Sequence, residues 1–316
     1  MKRARVLSVS FPKGGYGSVD ENRGQMVAHL EQTADYEPDF VCFTEVAREL
    51  GVPNEDEAWD GEPVPGETTS AIGEVARQIG THVIVGMQER VAPDETYNAA
   101  VLIGRDGEII GRYHKVQPTT NELNRGTLPG DTAMTFETDL GTVGMLICFD
   151  LKFPEVPAAL ARNGARVAFF PSMFHGGARH QAIARDHGMF LVVSQAVESV
   201  IVDMCGRRLA WQGYQEPLVQ QGKLPPFAFA EVNLDSKAYH LDFNQEKIGD
   251  IQSKYGAGVQ FEILRPEATF VMTSLVEGLS VEEIESEFEL EDIWTYYDRA
   301  RSLRAEKSGR PEVAVG

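Results

Sequence analysis

Short apolar runs punctuated by turn residues recur along the chain, and most of them alternate with segments whose apolar residues fall at helical spacing. ARVLSVS at 4–10 predicts a first strand, closed by the glycine-rich PKGGYG; a helix follows over Asp20 to Tyr36, with Met26, Val27 and Leu30 set among polar residues. DFVCFTE at 39–45 reads as a short buried strand that ends in a carboxylate, and in α/β proteins chemistry gathers where strands end. Pro, Gly and acidic residues at 53–67 predict a surface loop bordering a cleft. TTSAIGEVARQIG at 68–80 predicts a helix with Thr69 at its N-cap and Gly80 as its stop. THVIVGMQE at 81–89 then gives a strand, and YNAAVLIGRDGEIIGRYHK at 97–115 a hairpin turning at Arg105-Asp106-Gly107.

Residues 116–134 are polar and rich in Pro and Gly, without periodicity, and predict no regular element. TFETDLGTVGMLICFD at 135–150 predicts two strands about Leu140-Gly141, the second ending at Cys148. A helix over 154–165, a buried strand RVAFFPS, a helix over 178–189, a strand FLVVSQAVES and a hairpin over 201–210 complete the pattern. Strands alternating with helices argue for an α/β sandwich, and the hairpins argue that its sheets are mixed rather than parallel. The segment 280–306 carries Ile284, Phe288, Ile293 and Tyr297 among charges and predicts a helix packing on the body or on a neighbouring subunit, followed by a loose tail at 307–316.

Composition narrows the partners. Lys and Arg number 29 against 48 Asp and Glu, a formal charge of −19, which disfavours nucleic acid and anionic membrane surfaces. The cysteines are Cys42, Cys148 and Cys205, an odd number without CxxC spacing, so a disulfide framework is not expected. No stretch reaches the roughly 18 apolar residues of a membrane helix, and residues 1–10 lack a signal-type apolar run; a cytoplasmic protein is expected. The dinucleotide and P-loop glycine patterns are absent, as is HExxH, so no cofactor and no metal is expected.

Cys148 stands where an apolar strand gives way to Asp150 and Lys152, a setting in which a nucleophile meets substrate on a fixed backbone. Position alone favours a plain core cysteine, and Cys42 and Cys205 read as core or incidental residues. A reactive thiol needs a base beside it and a positive group where an oxyanion forms. Glu45, Lys115, Glu122 and the backbone N–H of Phe149 are the candidates, each of which taken singly reads as a surface or ion-paired group. His114, His175, His180 and His187 gain no preference for a Cys–His pairing from their positions.

Three motifs together resemble the carbon–nitrogen hydrolase (nitrilase) superfamily. PDFVCFTE carries Glu45 at the family's glutamate position, GRYHKVQPTTNE carries Lys115 at its lysine position, and GMLICFDLKFPEV carries Cys148 in the Cys-Phe-Asp and Phe-Pro-Glu setting of amidase-like branches. The order of elements at 171–174, 179–197 and 201–210 extends the resemblance over about residues 4–250. It implies a four-layer α-β-β-α sandwich with two mixed β-sheets, a hydrolase domain over 1–268 and a C-terminal extension over 269–316. It also implies a small-molecule amide substrate and a homodimer or larger assembly. The implied chemistry is hydrolysis of a non-peptide C–N bond through a cysteine thioester, with release of ammonia. Glu45 would serve as general base and acid, Cys148 as nucleophile, Lys115 and the Phe149 N–H as oxyanion donors, and Glu122 in substrate positioning or proton transfer. Phe174 and His175 fall where the family builds its pocket, and Asp150 reads as an anchor of the strand-end turn. FTE stands in place of the commoner Phe/Leu-Pro-Glu, and no basic residue follows Glu122. Nitrile hydrolysis, ureido-acid hydrolysis, metal-assisted phosphoester hydrolysis and a non-catalytic binding protein are the competing readings.

Overall fold

A computed structural model describes residues 2–53 and 56–310. Its first compact unit is Arg3–Leu234. In chain order its strands are β1 (Arg3–Val9), β2 (Phe40–Cys42), β3 (His82–Ala92), β4 (Glu95–Ile103), β5 (Ile109–His114), β6 (Thr127–Leu128), β7 (Thr135–Thr138), β8 (Gly141–Met145), β9 (Val167–Ser172), β10 (Phe190–Gln195), β11 (Ser199–Val202), β12 (Arg208–Gln212) and β13 (Phe227–Asn233). Its helices are α1 (Val19–Gln32), α2 (Glu67–Ile79), α3 (Thr120–Asn124), α4 (Glu155–Arg162), α5 (Arg179–His187) and α6 (Pro217–Gln220).

One sheet runs β13-β1-β2-β3-β4-β5 with β6 against β4, and the other runs β12-β11-β10-β9-β8-β7. In the first, β1, β2 and β3 are parallel, the short β6 pairs β4 in parallel, and the other outer pairings are antiparallel. In the second, β8, β9 and β10 are parallel and the outer pairings again antiparallel. Strands buried on both faces read as continuous apolar runs, and period-2 alternation divides their side chains between layers. Leu7, Val9, Val41, Val83, Val85 and Val101 join Met26 and Leu30 of α1 and Ile72, Val75 and Ala76 of α2 in one core. The alternate residues face the second sheet: the Phe40 and Phe169 rings lie 5.2 Å apart. There the Ser8 hydroxyl donates to the Val193 carbonyl while the Ser194 hydroxyl donates to the Val9 carbonyl. Helices α4 and α5 pack on the second sheet. The layers are therefore α-β-β-α with mixed sheets, as the resemblance implies.

Several elements differ in extent from the pattern. Helix α1 stops at Gln32 and gives way to a 3₁₀ turn at Ala34–Tyr36. Strand β2 ends at Cys42 rather than 45, and β8 at Met145 rather than 148, so Glu45 and Cys148 both stand three residues beyond a strand. The N-cap of α2 is Gly66, and Thr69 supports it from inside the first turn by accepting the Gly66 N–H. The 53–67 stretch, whose residues 54 and 55 lie outside the described residues, is not wholly a surface loop. Glu62 is buried there, bonded to Arg48 at 3.0 Å and to the Thr68 N–H at 2.8 Å.

The second unit begins at Asp235 and holds β14 (Ser236–His240), α7 (Lys247–Tyr255), β15 (Val259–Leu264), β16 (Thr269–Ser274), α8 (Val281–Glu287) and α9 (Ile293–Ser308). Its antiparallel sheet has the order β14-β16-β15, and Tyr239, Ile251, Phe270, Met272 and Ile284 form its core. The division expected at 268/269 falls instead in the β15–β16 turn, where Ala268 adopts a φ of 55°. The helix expected over 280–306 is two helices, because Asp292 caps a new one by accepting the N–H groups of Trp294 and Thr295. Of the tail expected at 307–316, residues 311–316 lie outside the described residues. Among the described residues no helix is long and apolar enough to cross a membrane.

Candidate active site

Four side chains from four separate segments meet beyond the ends of the central strands. Glu45 follows β2 through a tight turn in which Val46 takes a φ of 46°. Gly86 of β3 makes room for that turn, since a Cβ there would lie 2.2 Å from the Thr44 carbonyl oxygen. Lys115 follows β5, its N–H donating to the Asn98 carbonyl at 2.9 Å. Glu122 sits at the third position of α3, where it closes a capping box: its Oε2 accepts the Thr119 N–H at 2.7 Å. Cys148 opens a 3₁₀ turn (Cys148–Lys152) with a φ of 46°, a conformation that costs a non-glycine residue energy and needs support from its surroundings. The support is Asp150, fully buried, which accepts from the N–H groups of Ile147 and Gln117 at 2.8 Å each and from the Tyr113 hydroxyl at 2.7 Å. Asp150 is thus an anchor of the turn.

The Lys115 ammonium donates to Glu45 Oε1 at 2.7 Å and to Glu122 Oε1 and Oε2 at 3.0 and 2.9 Å. Asn98 spends both amide hydrogens on the same two carboxylates, 2.8 Å from Glu45 Oε1 and 2.7 Å from Glu122 Oε1. Glu45 Oε2 accepts the backbone N–H of Met173 at 2.8 Å. Glu45, Lys115 and the Met173 N–H all act on the ionisation of the Cys148 thiol. Burial, and then the Glu45 charge, push that thiol up to about 12 against the opposing pull of Lys115. Burial works against the Lys115 charge, but Glu45, Cys148 and Glu122 outweigh it and raise the ammonium's pKa. Burial also resists ionisation of Glu122, and Lys115, Asn98 and Thr119 overcome it, so its pKa is lowered. The resting site is a neutral thiol beside an ion-paired, fully hydrogen-bonded carboxylate cluster.

The model of the family described as carbon-nitrogen hydrolase matches residues 9–225. The chain belongs to the carbon–nitrogen hydrolase family. The human omega-amidase NIT2 is 24% identical over 204 residues, 61% of this chain and 72% of the relative. Among solved structures, Nit3 of Saccharomyces cerevisiae, a member of branch 10 of the nitrilase superfamily, superposes with a TM-score of 0.63 at 18% identity, covering 81% of this chain and 95% of its own. An amidase from Nesterenkonia sp. superposes with a TM-score of 0.62 at 17% identity, covering 80% and 96%. The nitrilase-type sandwich and the hydrolytic, amidase-type class of this enzyme follow from family membership.

Around this hydrolase's four-residue cluster, the remaining candidates separate. Phe149 follows the thiol in the 3₁₀ turn, its ring 5.2 Å from that of Phe153. Phe174 adjoins Met173, and its half-exposed ring lies under the Lys152 ammonium, 4.5 Å away. The His175 side chain is 63% exposed and bonds to Glu198 at 3.2 Å. His114 likewise bonds to Glu89, at 2.8 Å. Asn98, Met173 and Tyr113 are the contributors that the motifs do not announce. Asn98 leaves a trace, a polar residue at the head of the apolar run AAVLI, whereas Met173 acts through its backbone, which no side-chain pattern records.

Proposed function

We propose that this enzyme hydrolyses the carboxamide of a small molecule by acyl transfer through Cys148. As sulfur attacks the carbonyl carbon, the thiol proton passes to Glu45 and the carbonyl oxygen becomes an oxyanion held by Lys115 and the Phe149 N–H. Collapse breaks the C–N bond, Glu45 returns the proton to nitrogen, and ammonia leaves a thioester on Cys148. Glu45 then takes a proton from water as the hydroxyl adds to the thioester; the C–S bond breaks as Glu45 returns that proton to sulfur, releasing the carboxylic acid and regenerating the Cys148 thiol. Glu122 acts by holding Lys115 and by orienting the amide.

The observation that carries this reading is the position of Glu45, bonded at once to the Lys115 ammonium, to the Asn98 amide and to the Met173 N–H, with its charge acting on the Cys148 thiol. A thiol raised to about 12 is no preformed thiolate at neutral pH, so the reading needs an adjoining base, and Glu45 adjoins it. A glutamate-to-glutamine mutant of the amidase from Nesterenkonia sp. AN1, solved after Michael addition of acrylamide at its active-site cysteine, supports a nucleophilic thiol on this fold. The omega-amidase relatives make terminal (omega) carboxamides the first class to assay.

The test is ammonia release from short aliphatic amides, aromatic amides, dicarboxylate monoamides, ureido acids and matching nitriles, with wild type and C148A side by side under reducing conditions. Amide turnover by wild type that disappears in C148A supports the reading. Turnover confined to nitriles or ureido acids moves the enzyme to another branch, and equal turnover by C148A removes the thiol from the mechanism.

A further inference from the structure

The Met173 peptide is a shared part of the proposed machinery, because its N–H donates to Glu45 Oε2 at 2.8 Å and favours negative charge on the Cys148 sulfur. What fixes that peptide lies on the neighbouring strand. Gln195, at the end of β10 and 4% exposed, donates from Nε2 to the Met173 carbonyl at 3.2 Å. Its Oε1 accepts the Val197 N–H at 3.0 Å, so the amide is held at both ends and cannot rotate away. Residue 172 closes the loop from the other side: its hydroxyl donates to the Phe174 carbonyl at 2.8 Å and accepts the Phe174 N–H at 2.9 Å. The Ser172 carbonyl in turn accepts from the Thr44 hydroxyl at 3.0 Å and from the Ala196 N–H at 3.2 Å, which ties the loop to the residue preceding Glu45.

We infer that Gln195 is a positioning residue: through the Met173 peptide it holds one N–H where it orients Glu45 Oε2 as the oxygen that receives the proton and supports negative charge on Cys148 sulfur. Oε1 of Glu45 is already occupied by Lys115 and Asn98 at 2.7 and 2.8 Å, which leaves Oε2 for the proton. The inference rests on the roles given above to Glu45 and Cys148. It predicts that losing the Gln195 donor weakens the step in which sulfur gains charge while leaving substrate binding almost intact.

The experiment uses the full chain and reads alkylation of Cys148 by iodoacetamide, followed on the Cys148 peptide by mass spectrometry at one fixed pH, beside kcat and KM for a hydrolysed amide. Gln195→Met keeps the length and neutrality of the side chain and removes the donor. It is expected to slow alkylation and to lower kcat, each by about 2- to 10-fold, the range for loss of a hydrogen bond between neutral groups, with KM within about twofold. Glu45→Gln should act in the opposite sense on alkylation, because removing the carboxylate charge eases formation of the thiolate. If Q195M alkylates and turns over at wild-type rates while E45Q alkylates faster, Gln195 has no positioning role and the inference is overturned. If E45Q leaves alkylation unchanged, the role given to Glu45 fails, and the inference with it. Should Q195M fail to fold, Gln195→Glu carries the test: it keeps the acceptor for the Val197 N–H but turns a carboxylate oxygen towards the Met173 carbonyl. Slow alkylation in Q195E supports the inference, and a wild-type rate overturns it.

Discussion

Individual residues in this enzyme do opposed things to one thiol, and the opposition is measurable. Glu45 raises the Cys148 pKa while Lys115 lowers it, and burial adds to the first. E45Q should therefore abolish amide hydrolysis by at least about a hundredfold, the usual worth of a general base, and yet bring the thiolate absorbance in at lower pH. Asn98→Leu should cost activity by leaving Glu45 and Glu122 to share one ammonium, with about tenfold or greater loss in kcat expected from the two charge-assisted bonds. Asp150 sets a different prediction. Burial pushes it from 3.8 up to about 6 despite its three donors. A carboxyl raised on folding stabilises the fold below its unfolded pKa, and that contribution fades as pH rises through the folded value. The stability of wild type relative to D150N should thus fall by about 3 kcal/mol between pH 4 and pH 7, seen by urea unfolding at each pH; a rise over the same interval would refute the assignment. Glu45, Lys115, Glu122 and Cys148 were legible through the family motifs that carry them, since each taken singly reads as a surface, ion-paired or core residue. Asn98 was hidden by its place inside a hairpin strand, and Met173 because the group it supplies is common to every residue.

At the scale of elements, the strands and the larger helices were legible, since burial on both faces leaves continuous apolar runs and Gly80 and Gly188 end α2 and α5 in the left-handed conformation. Helix α3 was not. Its five residues are too few to show periodicity, and only the Thr119-x-x-Glu122 capping box marks it. The same Glu122 that completes the cap also bonds Lys115, so element and site are one feature. Thr119→Ala should loosen both, at about 1 kcal/mol of local stability and a lower kcat, checked by hydrogen exchange over 119–125 beside turnover. Strand ends were misjudged for a related reason: the apolar runs continue past the last ladder bond, and the bent turns holding Glu45 and Cys148 begin inside them. Gly86→Ala tests the first turn directly. Its Cβ would meet backbone of Thr44 at 2.2 Å and of Glu45 at 2.8 Å, so turnover should drop at least about tenfold, with far-ultraviolet circular dichroism preserved.

Across the whole molecule, the two sheets of Arg3–Leu234 share one scheme of pairing, a parallel trio flanked by antiparallel strands, although the chain carries no repeat that announces it. Such pairing joins residues far apart in sequence and leaves no local trace, and so the local pattern indicated mixed sheets while the four-layer arrangement came only with the family motifs. The second unit from Asp235 was the least legible part, because its boundary is a change of sheet partner rather than a linker. A formal charge of −19 predicts a protein that gains thermal stability with salt, as self-repulsion is screened, over roughly 0.01 to 1 M sodium chloride. A melting temperature that falls over that range would show specific ion pairs outweighing the net charge. The most direct measurement is rapid acid quench of the enzyme with a hydrolysed amide, followed by peptide mass analysis and ammonia assay. The acyl group is predicted on the Cys148 peptide of wild type, with no adduct and no ammonia in C148A. Ammonia released by C148A at the wild-type rate would contradict acyl transfer through this thiol.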